Sequence, residues 1–305
     1  MRGEGNIPPF FALWIGKTFG QMKKLLFMVT LQLFALHAGA QETVQEAPAG
    51  TAKTGISLCG GAALGYAHLG FLQAMEEAGI RPDCIAGTSM GAIMGMMYAA
   101  GYKPQEIKEI VKKEHFDRLW GLVPLSVPRR GGLIPMTRIR RVLLKYVPHD
   151  SFDSLAIRFY CCTFDVNRLQ PVYMGKGDSL VRYVCASAAI PTLFSPISIN
   201  GNYCVDGGVC DNLPVRPLLE EGCDVRIGVN LLLEKPGRPM LAETIGLHAL
   251  SYCVFATSQS SLEQLTGLVT IDPGEYWMTD FNKVDELYEI GYQTGKRYFA
   301  DIAHQ

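Results

Sequence analysis

Two short apolar segments in the first third of the chain each lead directly into a glycine-rich turn and then into a helical stretch. The first, residues 55–59, runs into a glycine loop at 60–65 and helical periodicity over 64–78. The second, residues 83–86, runs into the sequence GTSMG at 87–91 and a small-residue helix at 92–100. Because successive strand–turn–helix units are typical of a parallel sheet covered by helices, the sequence predicts an α/β fold.

The rest of the chain continues this alternation and shows no internal repeat. Apolar runs predict further strands at 156–166, 170–174, 225–233 and 268–271, and Asn200-Gly201 predicts a hairpin turn. Helices are predicted at 104–115, 179–188, 240–265 and 282–303. With 305 residues, of which 48% are hydrophobic and 19% charged, the composition fits one well-packed α/β domain.

The first 40 residues have the pattern of a signal peptide. Met22-Lys23-Lys24 is a short basic start, residues 25–36 are mostly apolar, and Ala38-Gly39-Ala40 fits a cleavage site. We therefore predict a signal peptide region at 1–40 with Met22 as the true start, a linker at 41–53 and a folded domain at 54–305. The predicted location is periplasmic or secreted, with membrane association as a variant. The alternative interpretation of the apolar run is a retained membrane anchor.

Charge and cysteine spacing argue against several classes of partner. The formal net charge is -1 without a long basic run, so nucleic acid is not expected as a partner. The nine cysteines form neither a C-x-x-C pair nor a zinc spacing, and most lie in apolar stretches, so we interpret them as buried apolar side chains and expect no metal. Residues 119–135 contain several prolines and glycines, and three interpretations stay open for them: a mobile flap, a loop in peripheral contact with a membrane, or an ordinary packed loop.

The glycine loop at 60–65 presents unpaired backbone N–H groups at the start of a helix. Such a loop can bind a phosphate, or it can stabilise the oxyanion of an acyl-transfer reaction. A dinucleotide-binding loop needs glycine at the position that Ala62 occupies, and it needs an acidic residue at the end of the next strand. Asp83 instead precedes that strand, which favours the oxyanion interpretation.

Ser89 lies at the centre of a Gly-x-Ser-x-Gly sequence between a predicted strand and a predicted helix, the context of a nucleophile elbow. A serine nucleophile needs a base. None of the histidines that follow it, at 115, 149, 248 and 304, lies in a glycine-rich loop after a strand, and His68 lies inside a helix. Asp206, in Asp-Gly-Gly, is a candidate general base, and the alternative interpretation is an ordinary Asp-Gly turn.

Taken together, the loop GGAALG, the sequence GTSMG and the sequence DGG resemble the patatin-like phospholipase family. Residues 186–191, 194–196 and 205–214 are similar to its bacterial members, as are residues 67–70. The resemblance implies a three-layer α/β/α patatin-like fold with a mainly parallel central sheet, and lipid acyl-ester hydrolysis without a cofactor or a metal. It implies Ser89 as nucleophile, Asp206 as base, and an oxyanion hole built from Gly60, Gly61 and Ala62. The supporting glycines are Gly65, Gly87, Gly91, Gly207 and Gly208.

The chain departs from the family pattern at two positions. Ala62 replaces the third glycine of the loop, which a backbone oxyanion hole tolerates if φ at this residue is negative. Leu64 replaces a basic residue that could lie near an anionic head group, which favours neutral acyl esters over phospholipids as substrates. The partner implied is a lipid or acyl ester, and the sequence indicates no particular oligomeric state. A catalytically weak lipid-binding protein and an acyltransferase remain the alternatives.

Overall fold

An eight-stranded, mostly parallel sheet forms the centre of the part of the chain that the structure describes. This computed structural model describes residues 52–119, 134–231 and 245–303. The strands are β1 (Thr54–Leu58), β2 (Cys84–Thr88), β3 (Arg158–Asp165), β4 (Gln170–Met174), β5 (Ile197–Ile199), β6 (Asn202–Asp206), β7 (Val225–Leu231) and β8 (Gly267–Ile271).

The strand order is β5-β6-β3-β2-β1-β7-β8, with β4 paired to β3. Five neighbouring strands are parallel, in the order β3, β2, β1, β7 and β8. Strands β4 and β6 run antiparallel to β3, and β5 runs antiparallel to β6. The hairpin between β5 and β6 turns at Asn200 and Gly201, which have φ angles of 49° and 83°. Both residues have a left-handed backbone conformation, as the Asn-Gly sequence predicts.

Helices cover both faces of this sheet. They are α1 (Ala67–Glu77), α2 (Met90–Ala99), α3 (Pro104–Lys113), α4 (Phe116–Leu119), α5 (Thr137–Tyr146), α6 (Leu180–Ser187), α7 (Arg216–Glu220), α8 (Ile245–Leu262) and α9 (Val284–Ala303). Short 3-10 helices lie at Ala62–Tyr66, Phe152–Ser154 and Gly207–Val209.

The alternation of side chains along β1 and β2 shows why both faces are covered. A Cβ added to Gly95 of α2 would lie 3.1 Å from Ile85 and 3.4 Å from Leu58, so α2 packs closely on one face. On the other face, a Cβ added to Gly55 would lie 3.0 Å from Leu218 of α7. A sheet buried on both sides explains why β1 and β2 read as continuous apolar runs without polar alternation.

The described elements agree with most of the predicted ones, with boundaries shifted by a few residues. The predicted helix at 64–78 begins as the 3-10 helix Ala62–Tyr66 and continues as α1, and Gly79 follows it with φ of 76°. Helix α5 was not predicted, although its buried residues Ile139 and Leu143 have the i, i+4 spacing of an amphipathic helix.

The cysteines behave as the sequence predicts. All nine are free thiols, seven are buried, and burial raises the pKa of the Cys59 thiol to about 12. The predicted signal peptide region and most of the linker lie outside the described residues, as do residues 120–133 of the proline- and glycine-rich segment. Within the described ranges, none of the helices combines the length and the apolar character that spanning a membrane requires.

Candidate active site

Ser89 occupies the sharp turn between β2 and α2. Its φ is 54° and its ψ is -123°, a conformation that a residue other than glycine rarely adopts. The flanking glycines make this turn sterically feasible, because a Cβ on Gly87 would lie 2.6 Å from the carbonyl oxygen of Gly91 and a Cβ on Gly91 would overlap the carbonyl oxygen of Leu58. The Gly-x-Ser-x-Gly sequence therefore forms a sharp strand-to-helix turn, the geometry expected of a nucleophile elbow, with the serine at the N-terminus of α2.

The structure brings Asp206 to this serine. The Oγ of Ser89 donates to Oδ2 of Asp206 at 2.6 Å, and each residue is only 6% exposed. Asp206 ends β6, and its other carboxylate oxygen accepts a hydrogen bond from the backbone N–H of Gly208 at 2.8 Å. The two predicted site residues thus form a buried pair in which one carboxylate oxygen faces the serine hydroxyl.

Burial raises the pKa of Asp206 from its ordinary value of 3.8 to about 7. The hydrogen bonds from Ser89 and from Gly208 act in the opposite direction, because they stabilise the ionised carboxylate, but desolvation is the larger effect. A carboxylate with a pKa near neutrality is basic enough to accept a proton from a serine and acidic enough to return it.

Close packing requires the first of the two glycines after Asp206 and leaves little room at the second. A Cβ on Gly207 would overlap the carbonyl oxygen of Cys162 in β3, and a Cβ on Gly208 would lie 3.1 Å from Oδ1 of Asp206. Because β6 pairs with β3, and β3 pairs with β2, the sheet brings residues 117 positions apart in sequence into one site.

Ser187 holds the backbone of Ser89. Its hydroxyl accepts a hydrogen bond from the N–H of Ser89 at 2.9 Å and donates to the carbonyl oxygen of Cys162 at 2.5 Å. Ser187 is completely buried, and it lies in the stretch that resembles the family, but sequence reasoning gave it no role. The N–H of Ser89 is therefore directed at Ser187.

Asp211 anchors the loop that follows Asp206. Its main-chain oxygen accepts from Oγ1 of Thr88, next to the nucleophile, at 2.9 Å. Its buried carboxylate accepts from the hydroxyl of Tyr173 at 2.7 Å and from that of Ser261 at 3.2 Å, and burial raises its pKa. The loop that carries Asp206 is thus attached to the nucleophile turn at a second point.

The backbone N–H groups of the predicted oxyanion loop differ in whether they already have an acceptor. The N–H of Gly60 donates to Asn212, at 3.1 Å to Oδ1 and 3.3 Å to the main-chain oxygen. Within the described part of the chain, the N–H groups of Gly61 and Ala62 donate to no other residue. The prediction that Gly60 contributes a donor is therefore corrected to a site with two candidate donors, at Gly61 and Ala62.

Ala62 stays a candidate donor, but its backbone conformation differs from the one expected. Its φ is 49°, so the condition of negative φ under which alanine would replace glycine without strain is not met. A left-handed conformation costs a non-glycine residue about 1–2 kcal/mol. Leu64, which replaces the basic residue of the family pattern, is 1% exposed and packs in the hydrophobic core. Gly65 lets this segment lie against the nucleophile turn, because a Cβ there would overlap Cγ of Met90.

The described histidines do not form a triad with Ser89. His68 is completely buried, its Nε2 lies 2.8 Å from the carbonyl oxygen of Cys59, and burial lowers its pKa to about 4. The side chains of His115 and His149 are exposed. Among the described residues, no group of histidine, cysteine, aspartate and glutamate side chains is arranged to hold a metal ion.

Comparisons with known proteins concern the chain as a whole. A family model described as patatin-like phospholipase matches residues 56–219. Lysophospholipase NTE1 of Kluyveromyces lactis is 28% identical over 284 residues, which cover 81% of this chain and 19% of that protein. Lysophospholipase nte1 of Aspergillus terreus is 29% identical over 288 residues, which cover 82% of this chain and 18% of that protein. The match thus spans less than a fifth of the length of these relatives.

Among solved structures, VipD from Legionella pneumophila has a similar fold. Its TM-score is 0.51 at 15% sequence identity, with 85% of this chain and 67% of that chain covered. This similarity confirms the predicted α/β fold with a mainly parallel central sheet flanked by helices. Because the family model matches more than half of the sequence, the chain belongs to the patatin-like phospholipase family.

Proposed function

We propose that the domain is a lipid acyl hydrolase that works through a seryl-acyl intermediate, with Ser89 as nucleophile and Asp206 as base. The observation that carries the proposal is the 2.6 Å contact between Oγ of Ser89 and Oδ2 of Asp206 in a buried site. The names of the relatives, which are lysophospholipases, support a lysophospholipid as substrate. A phospholipid and a simple acyl ester offer the same ester bond and belong to the proposed substrate class.

The proposed reaction has two halves. Asp206 accepts the proton of Ser89 while Oγ attacks the ester carbon, and the N–H groups of Gly61 and Ala62 donate to the resulting oxyanion. When the oxyanion collapses, the alcohol leaves with the proton from Asp206 and the acyl group remains on Ser89. Asp206 then accepts a proton from water, which attacks the acyl-serine, and the fatty acid is released as Ser89 regains its proton.

The preference for head group rests on Leu64. This side chain is uncharged and packs in the core, so the chain lacks the cation that the family pattern places at this position. We therefore propose that neutral acyl esters and zwitterionic lysophospholipids are hydrolysed faster than anionic phospholipids.

A second candidate function is lipid binding with little turnover, and the strained φ of 49° at Ala62 is the observation that favours it. Hydrolysis of a chromogenic acyl ester and of a lysophospholipid separates the two functions. The hydrolase proposal predicts turnover by the wild type and loss of turnover in both Ser89→Ala and Asp206→Ala. Lipid binding without turnover in all three proteins would favour the second function.

The export of the protein is a separate proposal, which rests on the sequence pattern of residues 1–40. It implies cleavage after Ala40 and a periplasmic or secreted location, with peripheral membrane contact as a variant. The relatives described above are fungal, so they give no support to the narrower resemblance to bacterial members. N-terminal sequencing of the protein recovered from the producing cells tests the proposal, which predicts Gln41 as the first residue.

A further inference from the structure

Asn212 holds both backbone groups of one residue in the oxyanion loop. Its Oδ1 and its main-chain oxygen accept from the N–H of Gly60 at 3.1 Å and 3.3 Å. Its Nδ2 donates to the carbonyl oxygen of the same glycine at 3.4 Å. With 1% exposure, Asn212 makes these contacts out of reach of solvent. Its side chain therefore fixes the orientation of the peptide groups on both sides of Gly60.

Asn212 is itself fixed by the elements that position the base. Its N–H donates to Oγ1 of Thr257 in α8 at 3.2 Å, and the same oxygen lies 3.0 Å from the carbonyl oxygen of Gly208. Asn212 and Asp206 are only six residues apart on one loop. One loop therefore carries the base at its start and the contact to the oxyanion loop at its end.

Gly60 lies between Asn212 and the nucleophile. A Cβ on Gly60 would be 2.7 Å from Oδ1 of Asn212 and 2.8 Å from Cβ of Ser89. The two residues that follow Gly60 carry the N–H groups that donate to no other described residue. Any displacement of Gly60 thus changes the direction of the donors relative to the serine.

We propose that Asn212 is a positioning residue that holds the Gly61 and Ala62 N–H groups in the geometry that stabilises the oxyanion. The loop needs such a restraint because Ala62 has a left-handed φ of 49°, which an alanine does not hold without support from its surroundings. The inference rests on the proposed hydrolase function and adds to it the residue on which the oxyanion hole depends.

The role has a kinetic consequence that distinguishes it from a purely structural one. Oxyanion donors act on charge that develops in the transition state, so their misplacement lowers kcat and leaves KM nearly unchanged. Because the hydrogen bonds of Asn212 go to Gly60 and Thr257 and not to the carboxylate of Asp206, the apparent pKa of the base in the pH profile should not move.

The experiment compares Asn212→Ala with Asn202→Ala in the full chain, with a chromogenic acyl ester as substrate. Asn202 is a matched control, since it is a half-buried asparagine on β6 whose Nδ2 donates to Asp165 at 2.8 Å, away from the oxyanion loop. We expect Asn212→Ala to lower kcat roughly 10- to 100-fold. This decrease is at most comparable to the roughly 100- to 1,000-fold decrease that follows the complete loss of one oxyanion donor. KM and the pH midpoint should stay at the wild-type values, and Asn202→Ala should keep the wild-type kcat.

A kcat of Asn212→Ala within threefold of the wild type would overturn the inference while leaving the hydrolase function intact. A shifted pH midpoint or an equal rise in KM would overturn it as well, because either would place the effect of Asn212 elsewhere. An inactive wild type would overturn the proposed function and the inference together. If Asn212→Ala does not fold, as judged by thermal unfolding, Asn212→Ser is measured in its place with the same expected result and the same contradicting ones.

Discussion

The hydroxyl of Ser89 donates to Oδ2 of Asp206 at 2.6 Å, although 117 positions separate the two residues in the sequence. Serine and carboxylate are in direct contact, with no histidine between them. A carboxylate can act as the base here because burial has raised its pKa toward neutrality.

The pH dependence of activity follows from this pKa. Only ionised Asp206 can accept the proton of Ser89, so kcat/KM should rise with pH through a midpoint at about 7 and level off above it. A pH profile of ester hydrolysis measures the midpoint. His68→Asn is the control, because the pKa of that buried histidine is lowered to about 4 and its loss should leave the midpoint unchanged. A midpoint that moves with His68 would contradict the assignment of the base.

Asp206→Asn should separate activity from stability. The folded-state pKa of about 7 lies above the ordinary 3.8, so the native state binds the proton more tightly than the unfolded state. The stability that Asp206 contributes is therefore fully present below pH 4 and is lost as pH rises through 7. At pH 8 the amide variant should be inactive yet more stable than the wild type by up to a few kcal/mol, with the difference vanishing near pH 4. Denaturant unfolding at both pH values measures it, and a variant that is equally destabilised at both would contradict the prediction.

Ser187→Ala should disturb the nucleophile without touching its side chain. The substitution removes the acceptor of the Ser89 N–H, which costs about 1–3 kcal/mol of stability in a buried site. The resulting shift of the serine should lower kcat/KM roughly 10- to 100-fold. Ser57→Ala is the matched control, since Ser57 is equally buried and donates to the carbonyl oxygen of Pro214 at 3.1 Å. Equal activity of the two variants would show that Ser187 has no positioning role.

Ala62→Gly should relieve strain in the oxyanion loop. The left-handed φ of 49° favours glycine, so the substitution stabilises the folded state. The greater freedom of glycine in the unfolded chain partly offsets this stabilisation, and the free energy of unfolding should therefore rise by less than about 1 kcal/mol. Activity should equal or exceed that of the wild type. Ala62→Val should lower both stability and kcat, because β-branched residues fit this conformation poorly. A tenfold loss of activity in the glycine variant would mean that the methyl group of Ala62 is itself required.

The local parts of this site could be predicted from the sequence, because each is encoded within a few residues. The strand, the flanking glycines and the small-residue helix around Ser89 are contiguous, and so are the strand and the two glycines around Asp206. The contacts of Ser187 and Asn212 could not be predicted in this way, since they cross 98 and 152 positions of sequence. Their side chains are ordinary buried polar groups until the fold places them beside the nucleophile and the loop.

The loop itself shows a second limit of sequence patterns. A glycine-rich sequence indicates N–H groups at the start of a helix, but not which of them already have acceptors. Gly60 resembles its neighbours in sequence, and it is excluded as a donor only because Asn212 accepts its N–H. The conformation of Ala62 likewise depends on the packing of the 3-10 helix that it begins, not on the identity of the residue.

The central claim is that Ser89 is a nucleophile activated by Asp206, and active-site labelling tests it most directly. The full-length wild type, Ser89→Ala and Asp206→Ala are treated with a fluorophosphonate, and the modified peptide is located by mass spectrometry. We predict stoichiometric phosphonylation of Ser89 in the wild type, none in Ser89→Ala, and a strongly slowed reaction in Asp206→Ala. Failure to label the folded wild type, or equal labelling of the wild type and Ser89→Ala, would contradict the account.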